Sequence, residues 1–160
     1  RITDIAQSQI YWESVPHCEV PQTQIEKYLL KCGDIVIART GATAGYAKRI
    51  NKHHPKAVFA SYLVRMISLD YSMNIYLGIV IDSAKYREFI LSNAEGSAQP
   101  QANATLMSEF KIYKPSSEII LKFNKIVEPI LDQIEISQIQ NTKLTQFANL
   151  LLSKLATVEN

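Results

Sequence analysis

The segment running Gly33-Asp34-Ile35-Val36-Ile37-Ala38-Arg39-Thr40-Gly41-Ala42-Thr43-Ala44-Gly45 constrains the fold of this chain more than any other stretch. Ile35, Val36, Ile37 and Ala38 form a short apolar run with β-branched residues, the pattern of a strand. The run ends in two glycines four apart, with Arg39, Thr40 and Thr43 around them. Glycine lets the backbone turn tightly and approach a partner closely. Threonine hydroxyls and an arginine fork are groups that bind phosphate oxygens and base edges. A hairpin or sharp corner at 40–45 is therefore expected between two strands.

The charge around this corner is one-sided. Between Asp34 and Asp70 there is no acidic residue, whereas Arg39, Lys48, Arg49, Lys52, Lys56 and Arg65 are all basic. With 15 acids in 160 residues, about three would be expected over those 35 positions. The net charge of the whole chain is only +2, which argues against a polybasic tail but not against one basic face, since the field is set locally. The segment reads as a loop that faces DNA. A plain β-turn with surface threonines and an ordinary solvated face is the alternative on local sequence.

A hydrophobic content of 47% with 20% charged residues suits a folded domain with a real core. The length suits one domain, or one domain with a helical appendage. No apolar stretch reaches the roughly 18 residues needed to cross a bilayer, and no signal peptide is visible. Cys18 and Cys32 show no metal-binding spacing and no disulfide framework, so a reducing cytoplasm is expected. The opening Ile2-Thr3-Asp4-Ile5 reads as the middle of a strand, which suggests a fragment of a longer protein.

Composition divides the chain near Pro115. Residues 1–116 hold 13 Lys/Arg and 10 Asp/Glu; residues 117–160 hold 4 and 5, with no glycine and a single proline, Pro129. The first part reads as mixed α and β, with strands expected at 2–6, 35–39, 45–50, 57–60, 62–69 and 110–113. A helix is expected over 73–92, a polar turn-rich loop over 96–104 and a short helical piece over 105–109. From Ser117, with Ser116 or Ser117 as N-cap, the apolar residues recur at three and four. Phe123, Val127, Ile130 and Ile134 form one stripe, and Leu144, Phe147, Leu151 and Leu155 another. Pro129 is expected to kink this helix, because it has no N–H for the carbonyl of Lys125. At 1.5 Å per residue such a helix spans about 60 Å and cannot bury its stripe on so small a domain. A partner helix is expected, in a coiled-coil-like pairing. The overall class is α+β: residues 1–116 a small mixed domain, residues 117–160 a long helix for spacing or dimerisation.

Catalytic chemistry finds little support. Gly41 and Gly45 lack the Gly-Lys-Ser/Thr ending of a phosphate loop. His53 and His54 are adjacent and would face opposite ways in a strand, with no carboxylate near. No serine sits in an elbow motif, no paired acids and lysine suit a nuclease metal site, and no methyltransferase signature is present. No cofactor or metal is expected. Gln99, Gln101 and Asn103 are amides of the kind that pair with adenine in the major groove, although hydrogen bonding within their own loop is an equal alternative.

Three separated motifs, Lys31 to Gly45, Gly96-Ser-Ala-Gln-Pro-Gln-Ala-Asn-Ala104, and Pro115 followed by a long helix, resemble the specificity subunit of type I restriction–modification enzymes. The helix of that family usually carries Glu-Gln near its start, where this chain has Ser117-Glu118-Ile119. The resemblance implies a non-catalytic target recognition domain joined to one helical spacer. In the family two such units in tandem each read one half of a split DNA site, and the subunit docks methyltransferase and nuclease-translocase subunits. This chain would then be half of a subunit, completed by a second recognition unit or by homodimerisation through the helix. Lys48, Arg49, Lys52 and Lys56 are expected at phosphates, and Arg39, Thr40, Thr43, Gln99 and Gln101 near base edges. Two alternatives remain: a protein-assembly module acting through its helix, and the recognition half of a fused restriction–methylation enzyme.

Overall fold

A computed structural model describes residues 1–94 and 102–158. Its elements run α1 (Ile2–Ile5), α2 (Gln22–Tyr28), β1 (Ile35–Ala38), β2 (Ala47–Arg49), β3 (Leu63–Met66), α3 (Asn74–Ile81), α4 (Ala84–Asn93), α5 (Ala104–Ser108) and α6 (Ser117–Val158), with short 3-10 turns at Trp12–Ser14, Gly41–Thr43 and Tyr71–Met73. The class is α+β, as the sequence implies. Two compact units are distinguished, Arg1–Asn124 and Lys125–Asn160.

In the first unit the three strands form an antiparallel sheet in the order β2-β1-β3. Ile35 pairs with Arg49 and Met66, Val36 with Lys48 and Arg65, and Ile37 with Ala47 and Val64. Side chains alternate across a sheet, so this register sorts the core into two clusters. Ile35, Ile37 and Ala47 meet Ile81 of α3, Tyr86 and Ile90 of α4, and Met107 of α5. Val36 and Ala38 meet Ile5, Leu30, Ile50 and Leu63 on the other side. All four residues of β1 are at most 1% exposed. That double burial is why the strand is apolar at every position rather than alternating.

Several expected elements take another form. Residues 2–5 are helical, not extended. Arg1 donates from Nε and Nη2 to the Asp4 carboxylate (3.0 and 2.8 Å), and Ile5 enters the cluster around Val36. The arginine hydrogen bond is the main reason the Asp4 carboxyl lies below the ordinary carboxylate range. At 57–60 there is only a bridge between Leu29 and Val58. Leu29 and Leu30 are confined between α2 and the Lys31–Gly33 turn, so they offer too short an edge for a ladder. Residues 110–113 lie outside any strand: Phe110 packs edge-on against Tyr86, and the Tyr113 carbonyl accepts from Tyr76 Oη at 2.8 Å. The helix expected over 73–92 is two helices. Ser83 has extended backbone and interrupts them; its Oγ donates to the Val80 carbonyl and accepts from the Tyr86 N–H, capping α4.

The buried phenol of Tyr86 donates to the Met107 carbonyl at 3.3 Å, and burial pushes its pKa up. Gly78 of α3 lies under Arg49. A Cβ at Gly78 would sit 2.7 Å from Arg49 Cδ and 2.9 Å from Arg49 Cβ. The second atom is next to the backbone and cannot swing aside. Gly78→Ala should thus lose more through overpacking (about 1–3 kcal/mol) than it gains in helix propensity (about 1 kcal/mol). Denaturant unfolding is expected to give a lower midpoint for the variant; a higher one would show that the β2–α3 contact yields without cost.

Candidate nucleic-acid interface

The corner after β1 is held by its own backbone. The Ala38 N–H donates to the Tyr46 carbonyl (2.8 Å), and the Gly45 N–H returns to the Ala38 carbonyl (2.9 Å). Between them Gly41–Thr43 forms one 3-10 turn, closed by the Ala44 N–H on the Gly41 carbonyl (3.0 Å). Gly41 and Gly45 both have positive φ, +71° and +84°. The two glycines are needed for different reasons. A Cβ on Gly41 would meet nothing within 4 Å, so only its backbone angle matters. At Gly45 a Cβ would also come 3.1 Å from Arg87 Cα and from Ile90 Cβ, so the corner lies directly on α4.

Arg39 is the crossing point of three segments. Its N–H donates to the Tyr62 carbonyl at 3.1 Å, and its carbonyl accepts from the Ala102 N–H at 2.8 Å. The glycine corner is thereby brought together with the turn before β3 and with the end of the 96–104 motif, far apart in sequence. Ala102 is buried with Ala44 in one cluster. Asn103 accepts the Leu106 N–H on Oδ1 (2.8 Å), so it caps α5. Gln99 and Gln101 lie outside the described residues. The side chains of Arg39 and Tyr62 are exposed; Thr40 and Thr43 are half-buried. Thr43 Oγ1 donates to the Thr40 carbonyl at 3.4 Å.

The basic residues that follow divide by what they touch. Lys48 Nζ is 2.7 Å from Asp82 Oδ2, with its side chain 14% exposed, and so ties the edge strand β2 to the end of α3. Arg49 donates from Nε to Asn74 Oδ1 (2.8 Å) and from Nη1 to Asn51 Oδ1 (3.1 Å). Arg65 donates to the Leu29 carbonyl (2.8 Å), lies 3.8 Å from the buried Asp34 carboxylate, and covers the Phe59 ring. These three cations are engaged inside the domain. Arg39, Lys52 and Lys56 are exposed, although Lys52 also has an interaction of its own.

His54 Nδ1 lies 2.7 Å from the Pro55 carbonyl and its ring 6.2 Å from that of Trp12. Among the described residues no group of three His, Cys, Asp or Glu is arranged to hold a metal ion, and both cysteines are free thiols. Of the residues on the helical stripes, Phe123 belongs to the first unit and packs edge-to-face on Tyr76 at 6.1 Å. Val127 is half-buried, and Ile130, Ile134, Leu144, Phe147, Leu151 and Leu155 are exposed. No helix among the described residues is long and apolar enough to cross a membrane.

Unfolding should separate the two kinds of cation. Lys48→Ala and Arg49→Ala are each expected to cost about 1–3 kcal/mol, since the first leaves the half-buried Asp82 and the second the buried Asn74 without its charged hydrogen bond. Arg39→Ala is expected to stay within about 0.5 kcal/mol of the parent, as surface changes do. Equal losses for all three in thermal unfolding would contradict this division.

The family described as type I restriction modification DNA specificity domain matches the chain over residues 17–146. No curated protein matches it.

Proposed function

The chain belongs to the family of type I restriction–modification DNA specificity domains, and from that premise we propose that it reads one half of a split DNA site for a restriction–modification complex. Domains of this family recognise DNA and do no chemistry in type I systems; the modifying and cleaving subunits are other chains. Methyltransferase and restriction subunits are the partners proposed here, brought to the site by this one.

The observation that best supports the reading is the convergence at Arg39. Three separate segments are hydrogen-bonded at the point where its guanidinium stands exposed. A rigid backbone beneath a long cationic fork costs little entropy on binding, which suits bidentate readout of a guanine edge. Thr40 and Thr43 stand beside it on the corner, and Lys52 and Lys56 supply positive charge for phosphates. Lys48 and Arg49 reach DNA on this reading only by leaving their internal partners, so their first role is to hold β2 on α3.

Selection of bound duplexes from a randomised pool tests this directly. One enriched half-site is expected, with log affinity falling against log salt by about 0.9 per phosphate contact. Arg39→Ala should relax the preference at one or two base positions by about 1–3 kcal/mol each while the protein remains folded. Equal, weak binding to every duplex, even beside modification subunits, would overturn the function.

A second copy of the recognition unit is proposed to join through α6. Ile130, Ile134, Leu144, Phe147, Leu151 and Leu155 are 46–65% exposed, and an apolar stripe of that length gains from a partner helix. Two-fold pairing would give a site related by the same symmetry. Replacing Phe147 and Leu151 by Asp should leave a monomer by light scattering where the parent is a dimer. An oligomer unaffected by both changes would exclude this stripe as the contact.

A further inference from the structure

The chain has five arginines, and the guanidinium groups of three are held by hydrogen-bonding partners within the domain. Arg1 is bound to Asp4, Arg49 to Asn74 and Asn51, and Arg65 to the Leu29 carbonyl and Asp34. Arg39 has no side-chain partner among the described residues. The fifth, Arg87 of α4, likewise has no hydrogen bond or ion pair to its guanidinium among the described residues. Its guanidinium lies over the face of the Tyr46 ring, 4.6 Å from the centroid. These two arginines flank the same structure: Arg39 enters the glycine corner, and Arg87 has its Cα against Gly45 and its guanidinium over Tyr46, where the corner ends.

We propose that Arg87, held on the ring of Tyr46, is a second base-reading residue of this domain, directed at a guanine edge. The inference rests on the DNA-recognition reading above. Tyr86 and Ile90, four apart, bury the inner side of α4, which leaves Arg87 at its rim. An open groove of about 500 Å³ runs between Ala42 and Tyr46 of the corner and Arg87, Glu88 and Leu91 of the helix. A guanidinium stacked on an aromatic face keeps its N–H edge directed outward in the plane, and that edge matches the O6 and N7 acceptors of guanine. Glu88 lines the same groove. A phosphate there would meet a like charge, whereas a G·C pair offers Glu88 the cytosine amino group as donor. The groove therefore suits a base pair better than the backbone. Tyr46 acts as a positioning residue: its ring holds the Arg87 fork at the groove.

The test compares duplex selection by the whole chain and by its Arg87→Ala, Arg87→Lys, Tyr46→Leu and Lys85→Ala forms, each checked for folding by circular dichroism. Arg87→Ala should lower affinity for the selected site by about tenfold or more and remove one guanine from its consensus. Arg87→Lys keeps the charge and loses the fork, so affinity should largely remain while that guanine preference disappears. Tyr46→Leu should weaken the same preference and no other. Lys85→Ala, a neighbouring exposed cation, should leave the consensus intact. If the parent selects a site and Arg87→Ala or Arg87→Lys selects the same one with equal strength, Arg87 is not a reader and only this inference falls. If the parent selects nothing, the recognition reading falls with it. Should Arg87→Ala fail to fold, the Lys variant decides alone.

Discussion

Strand β1 is the member on which the rest of the sheet-centred unit depends. Its four residues belong alternately to two apolar clusters, so the helices on one side and the irregular segments on the other are anchored to the same short piece of backbone. Because the strand is central and paired on both edges, its end at Ala38 is fixed in position. The corner that follows inherits that rigidity. A site built on a loop is precise only when the scaffold beneath it is packed and hydrogen-bonded, and here the Ala38, Arg39, Gly45 and Tyr46 backbone groups provide both.

The surrounding positive charge serves two ends. Lys48, Arg49 and Arg65 stand on the strands that flank β1, and their partners are residues of other elements: Asp82, Asn74, the Leu29 carbonyl and Asp34. They act as polar clasps around a small sheet, where a lysine or arginine stem also covers apolar surface. Arg39 and Arg87 have no such partners among the described residues and remain available to a ligand. A run of sequence without acids thus supplies both the internal fastenings and part of the exposed field.

Gly78 and Gly45 illustrate how close approach organises the domain. One admits the stem of Arg49 against α3, the other admits the corner against α4. Together they bring β2 and the corner onto consecutive helices, and Ser83, the residue that separates those helices, sets where α4 begins. The second unit carries a row of exposed apolar residues on α6.

Much of this was legible in the chain itself. The uninterrupted apolar run of β1, its two glycines, the absence of acids around them and the change of composition at Pro115 establish a central strand, a tight corner, a basic neighbourhood and a long helix starting at Ser117. The three ordered motifs pointed to the family, which the match over residues 17–146 shows. Local sequence failed where tertiary contacts outweighed propensity: the β-branched Ile2–Ile5 segment is helical with its Asp4 bound by Arg1, and 57–60 meets an edge that allows only one bridge. Sequence could not tell an engaged cation from an exposed one, because Asp82 and Asn74 lie more than twenty residues from the side chains they bind. Nor could it bring Arg87 to the corner, since that placement arises only when the backbone at Gly45 touches α4. Composition and periodicity decided which elements exist; packing of distant side chains decided which charges are engaged and which are left exposed.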